Sequence, residues 1–134
     1  MAGVHFDFVN FKANIKLNIG IADRLDENRI ESFTILFCDF SKLSKEIIKS
    51  SLEEVLRNSD SIINKESYYF FILPYTDKYG ATVVKNMFEE FFDTPIPAET
   101  VSYPVDGDEP QELLTTLQAK INQHHHYDME CLDD

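Results

Sequence analysis

The sequence predicts an α+β domain in which a β-α-β-β-α-β run forms one sheet with its helices packed on one face, preceded by an extra N-terminal strand and followed by a C-terminal helix. Three observations carry that prediction. The run FTILFCDF, residues 33–40, is apolar almost throughout, the mark of a central strand buried on both faces. Residues 41–58 and 77–92 repeat apolar side chains at the interval of one helix face. Between them lie two short β-rich stretches, 61–64 and 68–73, separated by Lys65, Glu66 and Ser67, a length and chemistry suited to a hairpin.

Taken in order, the chain first alternates. Phe11, Ala13, Ile15, Leu17, Ile19 and Ile21 are apolar, with Lys12, Asn14, Lys16, Asn18 and Gly20 between them; period 2 predicts a half-buried strand. The same stretch also sets Phe8, Phe11, Ile15, Ile19 and Ala22 at helical spacing, which stands as the second reading. The polar residues 22–32 form a connection. After the central strand, Leu43, Ile47, Ile48, Leu52, Val55 and Leu56 make one helical face with Ser41 or Ser44 as N-cap, ending near Asn58. Pro74 stops the second hairpin strand, and Asp77 caps a helix with a broad stripe of Val83, Val84, Met87, Phe88, Phe91 and Phe92, closed by Pro95 and Pro97. AETVSYP, 98–104, reads as the last strand, and a final helix opens at Pro110, where a missing N–H is tolerated. The order from Phe33 onward is the ferredoxin-like plan. Residues 1–32 are thus an N-terminal strand and connection, 33–123 the core domain, and 124–134 a polar tail expected to fray.

Composition narrows the function. The 134 residues are 43% hydrophobic with Phe 11 and Tyr 6, enough for one core, and the formal net charge is −12. That charge repels phosphate backbones and anionic lipid surfaces, so neither nucleic acid nor a membrane is an expected partner. The N-terminus MAGVHFDFVN lacks the basic start and apolar middle of a signal peptide, and the expected location is the cytoplasm. Cys38 and Cys131 form no zinc or disulfide spacing and read as free thiols.

Four pieces of the chain, in order, resemble the GGDEF family of bacterial diguanylate cyclases, over about residues 33–122. ILFCDFSKL, 35–43, is similar to the family's Leu-x-x-Asp-x-Asp-x-Phe strand and sets Asp39 on its first metal-binding Asp. LRNSD, 56–60, matches in Arg57 and Asp60 the Arg-x-x-Asp by which many members bind cyclic di-GMP at an inhibitory site. FFILPYTDKYGATVVKNM, 70–87, looks like the strand and helix that follow the signature, and VSYPVDGDEPQELLTTL, 101–117, is similar to the family's late Tyr-Pro strand, Asp-Gly turn and Leu-Leu helix.

The departures from the family decide the expectation. A cyclase holds divalent metal against a triphosphate with two carboxylates, one from the first strand and one from the fourth letter of Gly-Gly-Asp-Glu-Phe. Here the signature slot is Lys65, Glu66, Ser67, Tyr68 and Tyr69, and the fourth letter falls on Tyr68 or Tyr69. Glu66 lies close by but displaced along the hairpin. The two glycines that let the backbone approach substrate are replaced by residues with side chains. Only 17 residues separate Asp39 from Arg57, too few for the helix that carries the family's guanine-reading Asn and Asp. Pro97, Ala98, Glu99, Thr100 and Val101 stand where the family has Ser-Ile-Gly-Val-Ala, and His124 and His125 fall about where its late Lys would be.

The ligand-binding candidates are therefore Arg57 and Asp60, since a guanidinium grips phosphate or the Hoogsteen edge of guanine and an Asp accepts from guanine N–H groups. The plainer role for the same pair is a favourable charge at a helix end and a turn-forming Asp. Asp39 is the candidate Mg2+ ligand, or simply the cap of the next helix. In the HHHYDMEC tail, His124 and Asp128 are the pair spaced to share an ion, with His126, Glu130 and Cys131 nearby. Tyr68 and Tyr69 at a hairpin tip suit either a core or a partner's surface. The resemblance with its departures implies a catalytically inactive GGDEF-like signalling domain that needs no cofactor and acts by binding a protein partner, a second copy of itself or cyclic di-GMP. The alternatives are a metal-dependent enzyme of unrelated chemistry using Asp39 and Glu66, and an unrelated small α+β interaction protein.

Overall fold

Burial on both sides of one strand organises the fold. In the computed structural model, which describes residues 2–25, 30–126 and Leu132, strand β2 (Glu31–Asp39) is buried from Ser32 onward. It pairs antiparallel with β4 (Tyr68–Pro74) on one side and with β5 (Ala98–Pro104) on the other. Strand β3 (Ser61–Lys65) pairs antiparallel with β4, and β1 (Val4–Phe6) pairs parallel with β3. The sheet order is β1-β3-β4-β2-β5. With helices α1 (Phe11–Leu25), α2 (Lys45–Val55), α3 (Lys78–Phe92) and α4 (Pro110–His125), the described chain is an α+β fold.

Alternation along the strands splits the core in two. Phe33, Ile35 and Phe37 of β2, Phe70 and Ile72 of β4 and Val101 of β5 face α1 and α4, which supply Phe11, Ile15, Leu113, Leu114, Leu117 and Ile121. On the opposite face, Leu36, Cys38, Phe71 and Leu73 meet Ile48 and Leu52 of α2 and Ala81, Phe88 and Phe92 of α3. The expectation of helices on one face is therefore corrected. It holds for the crossover helices α2 and α3, while α1 and α4 cover the other face, as a central strand without a polar side requires.

The expected strand at 11–21 is also corrected: this stretch is helical and forms most of α1. Its buried residues, Phe11, Asn14, Ile15 and Ala22, sit at helical spacing, as the second reading had it. The period-2 pattern arises because Ala13, Leu17 and Ile21 form another apolar row that faces outward. An extra N-terminal strand does exist, but it is the short β1 at Val4–Phe6. Among the described residues before Phe33, Phe11 and Ile15 of α1 lie in the core.

Local chemistry sets the boundaries. Ser44 Oγ accepts from the Ile47 N–H at 3.3 Å, and Asp77 Oδ1 from the Gly80 N–H at 2.7 Å, so α2 and α3 each begin at a side-chain cap. Pro110 opens α4. The helix runs through His125, and Leu132 is 1% exposed, its carbonyl accepting from Gln111 Nε2 at 3.1 Å. The expected frayed tail from 124 is corrected at those residues: an apolar side chain inside the α1–α4 layer holds the chain there. Asp128, Glu130 and Cys131 lie outside the described residues.

Strand β5 ends the sheet, and its backbone is occupied from outside. Lys120 Nζ donates to Thr100 O at 2.8 Å, the Ser102 N–H donates to Asp106 Oδ2 at 2.8 Å, and His125 Nε2 lies 3.2 Å from Ala98 O. Such side-chain cover discourages addition of another strand. No helix among the described residues is long and apolar enough to cross a membrane.

Candidate functional site

The hairpin that carries the signature slot is regular. Lys65 pairs with Tyr68 and Asn64 with Tyr69, which leaves Glu66 and Ser67 as the turn. Glu66 takes a left-handed φ of 55°, and Asn64 Nδ2 donates to its carbonyl at 2.9 Å. Side chains of the slot point to both sides of the sheet. Tyr68 packs against Phe37, ring centroids 6.0 Å apart, and Tyr69 against Phe40 at 5.1 Å; burial raises the Tyr69 phenol above its usual range. The tip tyrosines are partly buried and pack against the core on opposite layers. Lys65 Nζ lies 5.5 Å over the Phe8 ring, and Glu66 is exposed.

Asp39 ends β2 opposite Tyr68, so it shares the hairpin tip's end of the sheet. Its Oδ1 accepts from the Ser41 N–H at 2.9 Å, its own N–H donates to Pro97 O at 3.0 Å, and it is 7% exposed. This is a turn-forming carboxylate at the entrance to α2. Next to it, Cys38 is fully buried, and burial pushes its thiol far up, the state of an inert structural cysteine.

Arg57 and Asp60 lie at the other end of β3, roughly 16 Å from the tip for five strand residues. Here the structure brings the sequence candidates together and fills them with internal partners. Arg57 Nη2 donates to Asp60 Oδ1 at 2.8 Å, to Pro74 O at 3.0 Å and to Thr76 Oγ1 at 3.1 Å. The Arg57 N–H donates to Asp60 Oδ2 at 2.8 Å. Backbone bonds continue the lock: the Gly3 N–H donates to Arg57 O and the Val4 N–H to Asp60 O, each at 2.9 Å. One Arg-x-x-Asp turn thus joins the end of α2, the start of β1, the end of β4 and the approach to α3. Asp60 is 2% exposed and the Arg57 side chain 54%.

The histidine candidates find a partner that the sequence did not suggest. His124 Nδ1 and His125 Nε2 lie 3.0 and 2.9 Å from the same Glu99 Oε2. Both hold the end of α4 against β5. Among the described residues no group of three His, Cys, Asp or Glu side chains is arranged to hold a metal ion.

Sequence reasoning also missed an outer face of α3. Of its broad stripe, Phe88 and Phe92 are buried, but Val83, Met87 and Phe91 are 40%, 41% and 37% exposed, and Tyr79 one turn earlier is 79% exposed. These four repeat every fourth residue and form a ridge. The signal was present in the stripe's width, which exceeds what one helix can press against a sheet. Comparison with protein-family models finds none that matches this chain, and comparison with curated proteins finds no match either.

Proposed function

We propose that this chain is a catalytically inactive, GGDEF-like signalling domain of bacterial type that works in the cytoplasm by binding protein through the outer face of α3. The observation that carries the reading is the exposed ridge of Tyr79, Val83, Met87 and Phe91. Large apolar and aromatic side chains gathered on one surface are the composition of an interface core. The positions that a cyclase uses for chemistry support it from the other side. Tyr68 and Tyr69, partly buried, pack against the two core layers, and Asp39 closes a turn.

Cyclic di-GMP fits this reading poorly as the ligand. To grip a phosphate or guanine, Arg57 has to give up its side-chain hydrogen bonds to Asp60, Pro74 and Thr76, and Asp60 then keeps the Arg57 N–H. The rival reading is a metal-dependent enzyme. It draws on one observation, that Asp39 and the turn bearing Glu66 lie at the same end of the sheet.

Incubation with GTP and Mg2+, followed by chromatography of the nucleotides, tests the proposal. The expected result is GTP unchanged. Formation of cyclic di-GMP or GDP that disappears in Asp39→Asn would overturn it in favour of metal-dependent turnover.

A further inference from the structure

We propose that the ridge on α3 docks into the outer groove of α1 on a second copy, so that the chain assembles head to tail. The inference rests on the binding reading above and names its partner.

The first argument is the double apolar character of α1. A helix on a sheet needs one apolar stripe, and α1 already buries Phe11, Ile15 and Ala22 against the core. Yet it carries a second apolar row outward, with Leu17 61% and Ile21 43% exposed. Together with Ala13 and Gly20 they line a shallow, open groove along the outer side of α1, rimmed by Lys16 and Arg24. At Gly20 the surface is bare: a Cβ placed there would meet nothing within 4 Å. Gly20 and Ala13 form low points where a large side chain from another helix can seat.

The second argument is shape. Tyr79, Val83, Met87 and Phe91 stand out from α3 in a row of fourth positions, the geometry of a ridge that packs into the groove of a facing helix. A groove with small residues on one helix and a ridge of large ones on another are complementary rather than alike.

The third argument is charge. Helix α1 bears Lys12, Lys16 and Arg24 against Asp23, in a chain whose net charge is −12. The ridge is flanked at its end by exposed Glu90 and Asp93. An antiparallel crossing sets these acids beside Lys16 and so opposes the helix dipoles as well. At physiological ionic strength the repulsion between like-charged copies is screened beyond about 8 Å, while charges in contact are screened less.

Position then fixes the type of assembly. The α1 groove and the α3 ridge lie on opposite faces of the sheet, so one contact uses two different surfaces. Such a contact leaves a free groove and a free ridge at the two ends and continues into a ring or an open stack.

Sedimentation velocity of the full chain over a range of concentrations tests this, with Leu17→Glu and Met87→Glu as variants. Both sites are exposed, and circular dichroism checks that each variant stays folded. The wild type is expected to grow with concentration beyond a dimer, and each variant alone to associate about tenfold or more weakly. An equimolar mixture of the two is expected to form a dimer that grows no further, because the mixture holds one intact ridge and one intact groove. A second pair, Lys16→Glu and Glu90→Lys, is expected to weaken association singly and restore it when both are combined. A monomeric wild type, or variants that associate like wild type, would overturn the inference. So would a wild type that stops at a dimer and variants that fail to combine. None of these results touches the binding reading, which falls only if nucleotide is turned over.

Discussion

Asp60 places a carboxylate where only 2% of its side chain meets solvent, and the turn it closes explains why that is tolerated. Donors of Arg57 hold it: the backbone N–H at 2.8 Å and Nε at 3.5 Å on Oδ2, and Nη2 at 2.8 Å on Oδ1. Removing the acceptor strands the Arg57 N–H and ends the ion pair, whereas removing the guanidinium leaves the backbone bond in place. Asp60→Ala is therefore expected to cost about 2–3 kcal/mol and Arg57→Ala, whose side chain is half exposed, about 1 kcal/mol. Urea denaturation of both variants checks the order, and an Arg57→Ala variant that is the less stable would show the lock to be misread. The turn itself was legible in LRNSD, because an Asp three residues after a helix-ending Arg is a local signal. Its other partners, Pro74 O at the end of β4 and Thr76 Oγ1 just after it, come from the far strand of the hairpin and beyond, and no local pattern reveals them.

At the scale of elements, α1 shows how a correct pattern can mislead. Its alternation is real, but the outward half serves a surface and the inward half a core, so two helical rows add up to a strand-like period. The other elements were legible because each had one apolar face or none to spare, as in β2, β5 and the capped helices α2 and α3. Gly20 sits mid-helix with open space above it, and Gly20→Ala is expected to stabilise the fold by about 0.5–1 kcal/mol in urea denaturation. A loss of stability would argue that the outward face of α1 is not open.

Helix α1 is also tied to β5. The Tyr103 hydroxyl donates to Asp23 Oδ1 at 2.6 Å, and burial, with the Asp23 carboxylate, pushes its pKa up to about 12. The unfolded phenol ionises near its ordinary value of about 10. This contribution is thus full below pH 10 and declines as pH rises toward 12. Stability measured across that window is expected to fall more steeply in the wild type than in Tyr103→Phe; parallel slopes would sink the assignment. On the acid side, burial works against ionised Asp106, but Lys78 at 2.7 Å and the Ser102 N–H outweigh it and hold its carboxyl below the usual range. That contribution is present above about pH 4 and lost as pH falls below it.

For the whole molecule, the two-layer core accounts for what the sheet can and cannot offer. Both faces are covered by helices, and β5 is occupied along its edge, so among the described residues the outward sides of α1 and α3 and the short exposed edge strand β1 are left for recognition. A net charge of −12 adds a long-range barrier to anionic ligands. The hairpin frame was readable because strand and turn signals are local. The fate of its residues was not, because whether a tyrosine packs inward depends on Phe37 and Phe40, brought to it by sheet pairing.

We propose that residues resembling a cyclase's nucleotide sites hold this fold together instead, and calorimetric titration of the wild-type chain with cyclic di-GMP is the test. No saturable heat is expected, because Arg57 already serves Asp60, Pro74 and Thr76. Micromolar binding that vanishes in Arg57→Ala would contradict it.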